Sequence, residues 1–197
     1  MRIMPGVGSF SFGVGTSQGT RLLNATVNST DEGAPQAQYK KTRESLFLNL
    51  SYPIKDSALT WSSQTSAQQT RNVLYGSEEM MVIGPSAVRG FVVNFMSGNN
   101  AFVSRNDVGI QIPFQYGGAT SIVKPYIGMD FGSALPVNLA SGHSGAVSGG
   151  TLGVSFGVVG WTTDISYSKP LRVLPWMLPE SGVAYIRLRY DFDFNKS

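Results

Sequence analysis

Few residues in this sequence could carry out bond chemistry. The only histidine is His143, in the segment SGHSG, and there is no cysteine. Nucleophilic catalysis needs a base beside the nucleophile, and no nucleophile-elbow motif accompanies this histidine. The surrounding residues have the composition of a flexible loop. We therefore predict a solvated histidine, no catalytic residues and a protein that is not an enzyme.

Patterns for metals, phosphates and nucleic acids are equally weak. Glu78 and Glu79 are adjacent, with no histidine or aspartate cluster beside them, so they lack the spacing of metal ligands. The glycine-rich start, GVGSFSFGVG, lacks the spacing of a phosphate-binding loop. Fifteen basic residues against twelve acidic ones are scattered and form no stripe. We expect no metal, no cofactor and no nucleic acid partner.

The segment GPSAVRGF is the exception, because it presents Arg89 among small and apolar residues. An arginine carries a planar fork of five donors that suits a carboxylate. Gly90 allows a tight backbone turn, and Val88 and Phe91 supply apolar surface on either side. The pattern alone fits both a binding element and an arginine on an exposed loop tip.

The elements that would position this arginine are predicted to be strands. The chain contains 23 glycines, 11% aromatic and only 14% charged residues, and no apolar run is long enough for a membrane-spanning helix. In the last segment, apolar Ile186, Leu188, Tyr190, Phe192 and Phe194 alternate with charged residues, which is the period of a strand. Similar or weaker alternation makes about eight strands in all, the others lying near 10–14, 46–52, 59–61, 108–116, 123–131, 152–158 and 161–167.

The predicted connections alternate in length along the chain. Long ones fall near 16–40, 66–100, 133–148 and 170–181, and short ones near 53–57, 117–122 and 158–160. Short turns at one end and long loops at the other are typical of a barrel in the bacterial outer membrane. We predict an all-β, antiparallel transmembrane β-barrel, with a soluble barrel or sandwich as the alternative. A short helix within 64–79 stays open, and we expect no export signal in the first residues as written.

Several motifs in order along the chain support a family assignment. The segments EEMMVIGPSAVRGF, AFVSRNDVGIQI, KPYIGMDFG and SYSKPL, followed by a terminal aromatic strand, together resemble the C-terminal half of the two-partner secretion transporters, the TpsB proteins of the ShlB/FhaC/HecB type. The resemblance implies that 1–197 is the C-terminal part of a barrel of roughly sixteen strands, without POTRA domains. It also implies location in the bacterial outer membrane.

The resemblance further implies roles for individual residues. Val88, Arg89, Gly90 and Phe91 would form a loop motif inside the barrel. Asp130, Phe131 and Gly132 would form the wall motif, with Asp130 as the partner of Arg89. Strand parity supports this pairing, because Asp130 falls on the face opposite Ile127, Met129 and Phe131. The assembly signal implied by the family corresponds to Tyr190, Phe192 and Phe194.

The function implied by the resemblance is translocation of a large hemolysin- or adhesin-type exoprotein through the outer membrane. Its partners would be the secreted TpsA-type exoprotein, outer-membrane lipid and the barrel assembly machinery. The alternative is a small closed barrel that serves as an adhesin, a minor porin or a lipid-modifying enzyme. In that case His143 would be the only possible enzymatic base.

Overall fold

The computed structural model describes residues 6–22, 26–31, 33–137 and 144–191. The regular structure of these residues is β-strand, and no helix among them is long and apolar enough to cross a membrane. The strands are β1 (Val7–Gln18), β2 (Lys40–Ile54), β3 (Ser57–Thr70), β4 (Met80–Met81), β5 (Ser97–Gly98), β6 (Asn100–Tyr116), β7 (Ala119–Leu135), β8 (Gly145–Val158), β9 (Trp161–Arg172) and β10 (Val183–Tyr190).

Eight strands form one antiparallel sheet in the order β1-β2-β3-β6-β7-β8-β9-β10, and β4 pairs with β5 in a separate ribbon. Neighbours in the large sheet follow each other along the chain, with β4 and β5 in the connection from β3 to β6. Within the described residues β1 and β10 do not pair, so the sheet stays open. The prediction of an all-β, antiparallel fold is confirmed.

The sheet has apolar side chains on its exposed face. Ile186 is 73% exposed, and Leu152, Ile127 and Phe12 are also strongly exposed. The opposite face carries small and polar residues, many of them buried. A water-soluble sandwich buries its apolar faces, whereas a membrane barrel turns them toward lipid. The surface therefore has the distribution of a membrane barrel wall.

The connections divide between the two ends of the sheet as predicted. Two-residue turns join β2 to β3, β6 to β7 and β8 to β9, while the other end carries the connections 19–39, 71–99, 136–144 and 173–182. The segment 64–79 contains no helix: β3 continues to Thr70 in register with β2, and bends, turns and irregular structure follow over 71–79. The strands β6 and β7 reach 17 residues each, more than the roughly 9 to 11 that a tilted membrane span needs.

A hydrophobic core lies on the polar side of the sheet, where the connection 71–99 folds back against the strands. Val82, Val88 and Met96 of this connection pack with Val103 of β6 and Val147 of β8, and all five are buried. The core therefore joins one long connection to the wall. We call residues 82–96 the inserted loop.

Candidate functional site

The inserted loop is held in a defined shape by its own backbone. Its base is the β4–β5 ribbon, and the N–H of Val82 donates to the carbonyl of Met96 at 2.8 Å. Its first limb turns back on itself, because the N–H of Val88 donates to the carbonyl of Val82 at 3.0 Å and the N–H of Gly84 donates to the carbonyl of Val88 at 3.1 Å. This fold presents Arg89 next to the wall.

Arg89 forms a forked pair with Asp130 on β7. Its Nε lies 2.6 Å from Oδ2 of Asp130, its Nη2 lies 2.7 Å from Oδ1, and its backbone N–H donates to Oδ2 at 3.1 Å. Arg89 is 5% exposed and Asp130 is fully buried. Two parallel bonds between charged groups fix direction as well as distance. An arginine on an exposed loop tip, the alternative left open by the sequence, does not describe this residue.

A second carboxylate, Asp107 on β6, completes the site. Nη2 of Arg89 lies 2.6 Å from its Oδ1, and the Asp107 side chain is 25% exposed. Burial lowers the pKa of Arg89, but the hydrogen bonds to Asp130 and Asp107 raise it by a larger amount. The pKa of Arg89 therefore lies above its ordinary value. Sequence reasoning missed Asp107. Strand parity is the sequence feature that could have identified it, since Asp107 lies on the face opposite Val108 and Ile110.

Glycines in the wall make room for this contact. A Cβ at Gly128 would lie 2.5 Å from Nη2 of Arg89, and one at Gly149 would collide with the Arg89 carbonyl. A Cβ at Gly132 would lie 2.5 Å from a methyl group of Val82. The loop therefore approaches β7 and β8 more closely than side chains would permit.

The predicted motif residues occupy different sides of the wall. Val88 and Phe91 are buried in the core, and Gly90 has a φ of 101° with the backbone of Lys169 2.7 Å from a Cβ built there. Gly132 faces the inserted loop, whereas Phe131 is exposed on the opposite face. The structure thus brings Arg89 to Asp130 and Val88 to Gly132, places Gly90 against β9, and leaves Phe131 on the other face.

Two further contacts tie the connection to the wall. Arg105 of β6 donates through Nη1 to the carbonyl of Pro85 at 2.8 Å. Lys41 of β2 is buried, and its Nζ lies 2.6 Å from Oε2 of Glu78 and 2.7 Å from the Glu78 carbonyl. Hydrogen bonds from Lys41 and then Tyr39 lower the pKa of the Glu78 carboxyl below its usual value. No periodic or motif signal in the sequence pointed to the contact between Lys41 and Glu78.

The remaining predicted residues do not join this site. Tyr190 ends β10, 48% exposed, with its ring centroid 4.7 Å from that of Trp161. Phe192 and Phe194 lie outside the described residues, as does His143. Among the described residues, no group of three or more His, Cys, Asp or Glu side chains is arranged to hold a metal ion.

Comparisons with known proteins find similar sequences and a similar fold. The profile of the family "Haemolysin secretion/activation protein ShlB/FhaC/HecB" matches residues 2–157. Over 179 residues the chain is 26% identical to the outer membrane transporter CdiB of Dickeya dadantii (strain 3937), which covers 89% of this chain and 31% of that protein.

The structure also resembles CdiB from Escherichia coli, with a TM-score of 0.78 and 23% identity over 93% of this chain and 33% of that chain. This similarity shows a shared fold. The chain spans less than two thirds of the length of either relative. Since the family profile covers more than half of its residues, and the motif resemblance is thereby confirmed, the chain belongs to the haemolysin secretion/activation protein ShlB/FhaC/HecB family.

Proposed function

We propose that this chain is the C-terminal part of a barrel that exports a large exoprotein across the bacterial outer membrane by two-partner secretion. The observation that carries the proposal is the buried pair of Arg89 and Asp130, which fixes a loop against the inner side of a membrane-type wall. Residues 1–197 would then contribute the last strands of the barrel and the inserted loop.

The polar side of the sheet suits a water-filled passage. Beside the inserted loop lies a cleft of about 300 Å³ lined by charged and hydroxyl side chains, among them Arg105, Lys124, Asp164, Ser166 and Arg187. Such a lining solvates a polypeptide without binding it tightly, because exposed ion pairs contribute little free energy. Export needs no bond chemistry, and the named relatives are transporters.

The partners follow from this assignment. The exported TpsA-type protein would pass along the polar side of the wall, and lipid would contact the exposed apolar side. The barrel assembly machinery would engage the terminal strand that includes Tyr190. The alternative of a small closed barrel requires β1 to pair with β10, and these two strands have no such pairing within the described residues.

Complementation in a strain that lacks the transporter tests this function. The full-length gene should restore the exoprotein to the medium, and Arg89→Ala should reduce export while the folded barrel is still recovered from the outer membrane. Arg71→Ala is the matched control, since Arg71 is exposed in the same connection. Export that is undiminished by Arg89→Ala would remove the role proposed for the loop, and failure of the intact gene to restore export would contradict the function itself.

A further inference from the structure

The limb of the inserted loop that returns to β5 contacts a second long connection, residues 173–182 between β9 and β10. Here the carboxylate of Glu180 accepts hydrogen bonds from three consecutive backbone N–H groups. The N–H of Val92 donates to Oε2, that of Val93 donates to Oε2 at 3.3 Å, and that of Asn94 donates to Oε1 at 3.0 Å. A series of N–H groups that converges in this way forms a concave site for an anion.

The Asn94 side chain strengthens the same contact. Its Nδ2 donates to Oε1 of Glu180 at 2.6 Å and to the carbonyl of Leu178 at 2.8 Å, and its Oδ1 accepts the N–H of Leu178 at 2.9 Å. The amide therefore exchanges two hydrogen bonds with the backbone of the other connection. Together these bonds link the two connections through one carboxylate and one amide.

Phe91 and Met96, at the two ends of this limb, are buried in the core, but the residues between them bury little apolar surface. Val92 is 64% exposed, Val93 is 63% exposed and Phe95 is 61% exposed. Burial raises the pKa of Glu180, but hydrogen bonds from Val92, Asn94 and Val93 outweigh burial and lower that pKa below the usual value. Bonds to an ionised acceptor are stronger than bonds between neutral groups, so Glu180 is the main anchor of the exposed part of the limb, residues 92–94.

We call the hydrogen bonds that join Glu180 and Leu178 to residues 92–94 the clamp, and it lies close to the buried pair along the chain. Only Gly90 and Phe91 separate Arg89 from the first clamped N–H at Val92. We infer that Glu180 is a positioning residue: it holds the returning limb against residues 173–182 and so keeps Arg89 seated on Asp130. The consequence for export rests on the proposed function, whereas the position of the loop can be measured separately.

The test uses a cysteine reporter in the full-length transporter, in a background without other cysteines. This chain contains none, and Ala87 of the inserted loop is buried in the core, so Ala87→Cys should react slowly with a water-soluble maleimide. Glu180→Gln should raise the labelling rate about tenfold, because it weakens charge-assisted bonds that oppose local opening. Asp56→Asn removes a carboxylate from a turn at the opposite end of the sheet and should leave labelling unchanged.

Barrel folding is followed in parallel by heat-modifiable migration on gels. Faster labelling with an intact folded band supports the clamp, because a general loss of stability would also reduce that band. Labelling unchanged by Glu180→Gln would overturn the proposal, even if export fell. Should Glu180→Gln fail to fold, Asn94→Ala keeps the carboxylate and removes the exchange with Leu178, and it must also raise labelling for the proposal to stand. If Glu180→Gln speeds labelling as expected but the intact transporter exports nothing, the proposed function alone is contradicted.

Discussion

The buried pair of Arg89 and Asp130 gives the sharpest prediction about this protein. Replacing Arg89 by alanine removes both side-chain bonds to Asp130, and among the described residues it leaves this fully buried carboxylate with the backbone N–H of residue 89 as its hydrogen-bond donor. Leaving a buried charge without its partner costs about 3 to 5 kcal/mol. The seated arrangement would then become at least about a hundredfold less populated relative to the released one.

The neighbouring groups set the size of the effect. Asp107 is partly exposed, so water compensates its charge and the loss there is smaller. Arg89→Lys keeps the charge but cannot form two parallel bonds, and loses a charge-assisted bond that contributes about 1.5 to 3 kcal/mol. We expect export to be lowest with alanine at position 89, intermediate with lysine and highest with the native arginine. Barrel assembly should survive because the strand pairing is untouched.

A double-mutant cycle on export rate tests the pairing. Arg89→Ala, Asp130→Ala and the double variant are compared with the intact transporter, at matched amounts of folded barrel in the outer membrane. We expect a coupling free energy of at least about 1.5 kcal/mol, inside the range for residues in contact. Effects that add to within about 0.5 kcal/mol would mean that the two residues act independently, and the reasoning would be refuted.

Three further predictions concern the wall, the base of the loop and the isolated chain. Gly149→Ala should lower export without loss of the folded barrel, because its methyl group would displace the Arg89 carbonyl; normal export would show that the close approach is dispensable. The lowered pKa of Glu78 means that its carboxylate stabilises the fold above its unfolded pKa of about 4.3, and that this contribution is lost as pH falls through the folded value. Thermal unfolding midpoints measured against pH should therefore decline less steeply in acid for Glu78→Gln than for the intact protein, and parallel curves would count against the contact with Lys41. The 197-residue chain alone should give no stable large conductance in planar bilayers, because β1 and β10 do not pair with each other within the described residues and the sheet edges there would expose backbone groups to lipid; a stable large conductance would contradict this.

The sequence determined the features that repeat along the chain. Alternation of apolar and polar residues placed the strands and separated the lipid side from the polar side, because the side chains of a strand alternate with period two. The spacing of turns predicted where short and long connections fall. The VRGF and GMDFG motifs singled out Arg89 and Asp130, whose contact is now visible, while the roles of the motif residues and of the terminal aromatic residues stay predictions.

Only the tertiary structure decided which residues from separate connections meet. Asp107 completes the site because β6 lies beside β7, and Gly149 matters because the loop passes directly over β8. Lys41 and Glu78 are separated by 37 positions in the sequence. Glu180 is separated from the loop residues that it contacts by 86 to 88 positions. Irregular connections have no period that would reveal such contacts, since their backbone groups are satisfied by whichever side chains the fold brings near.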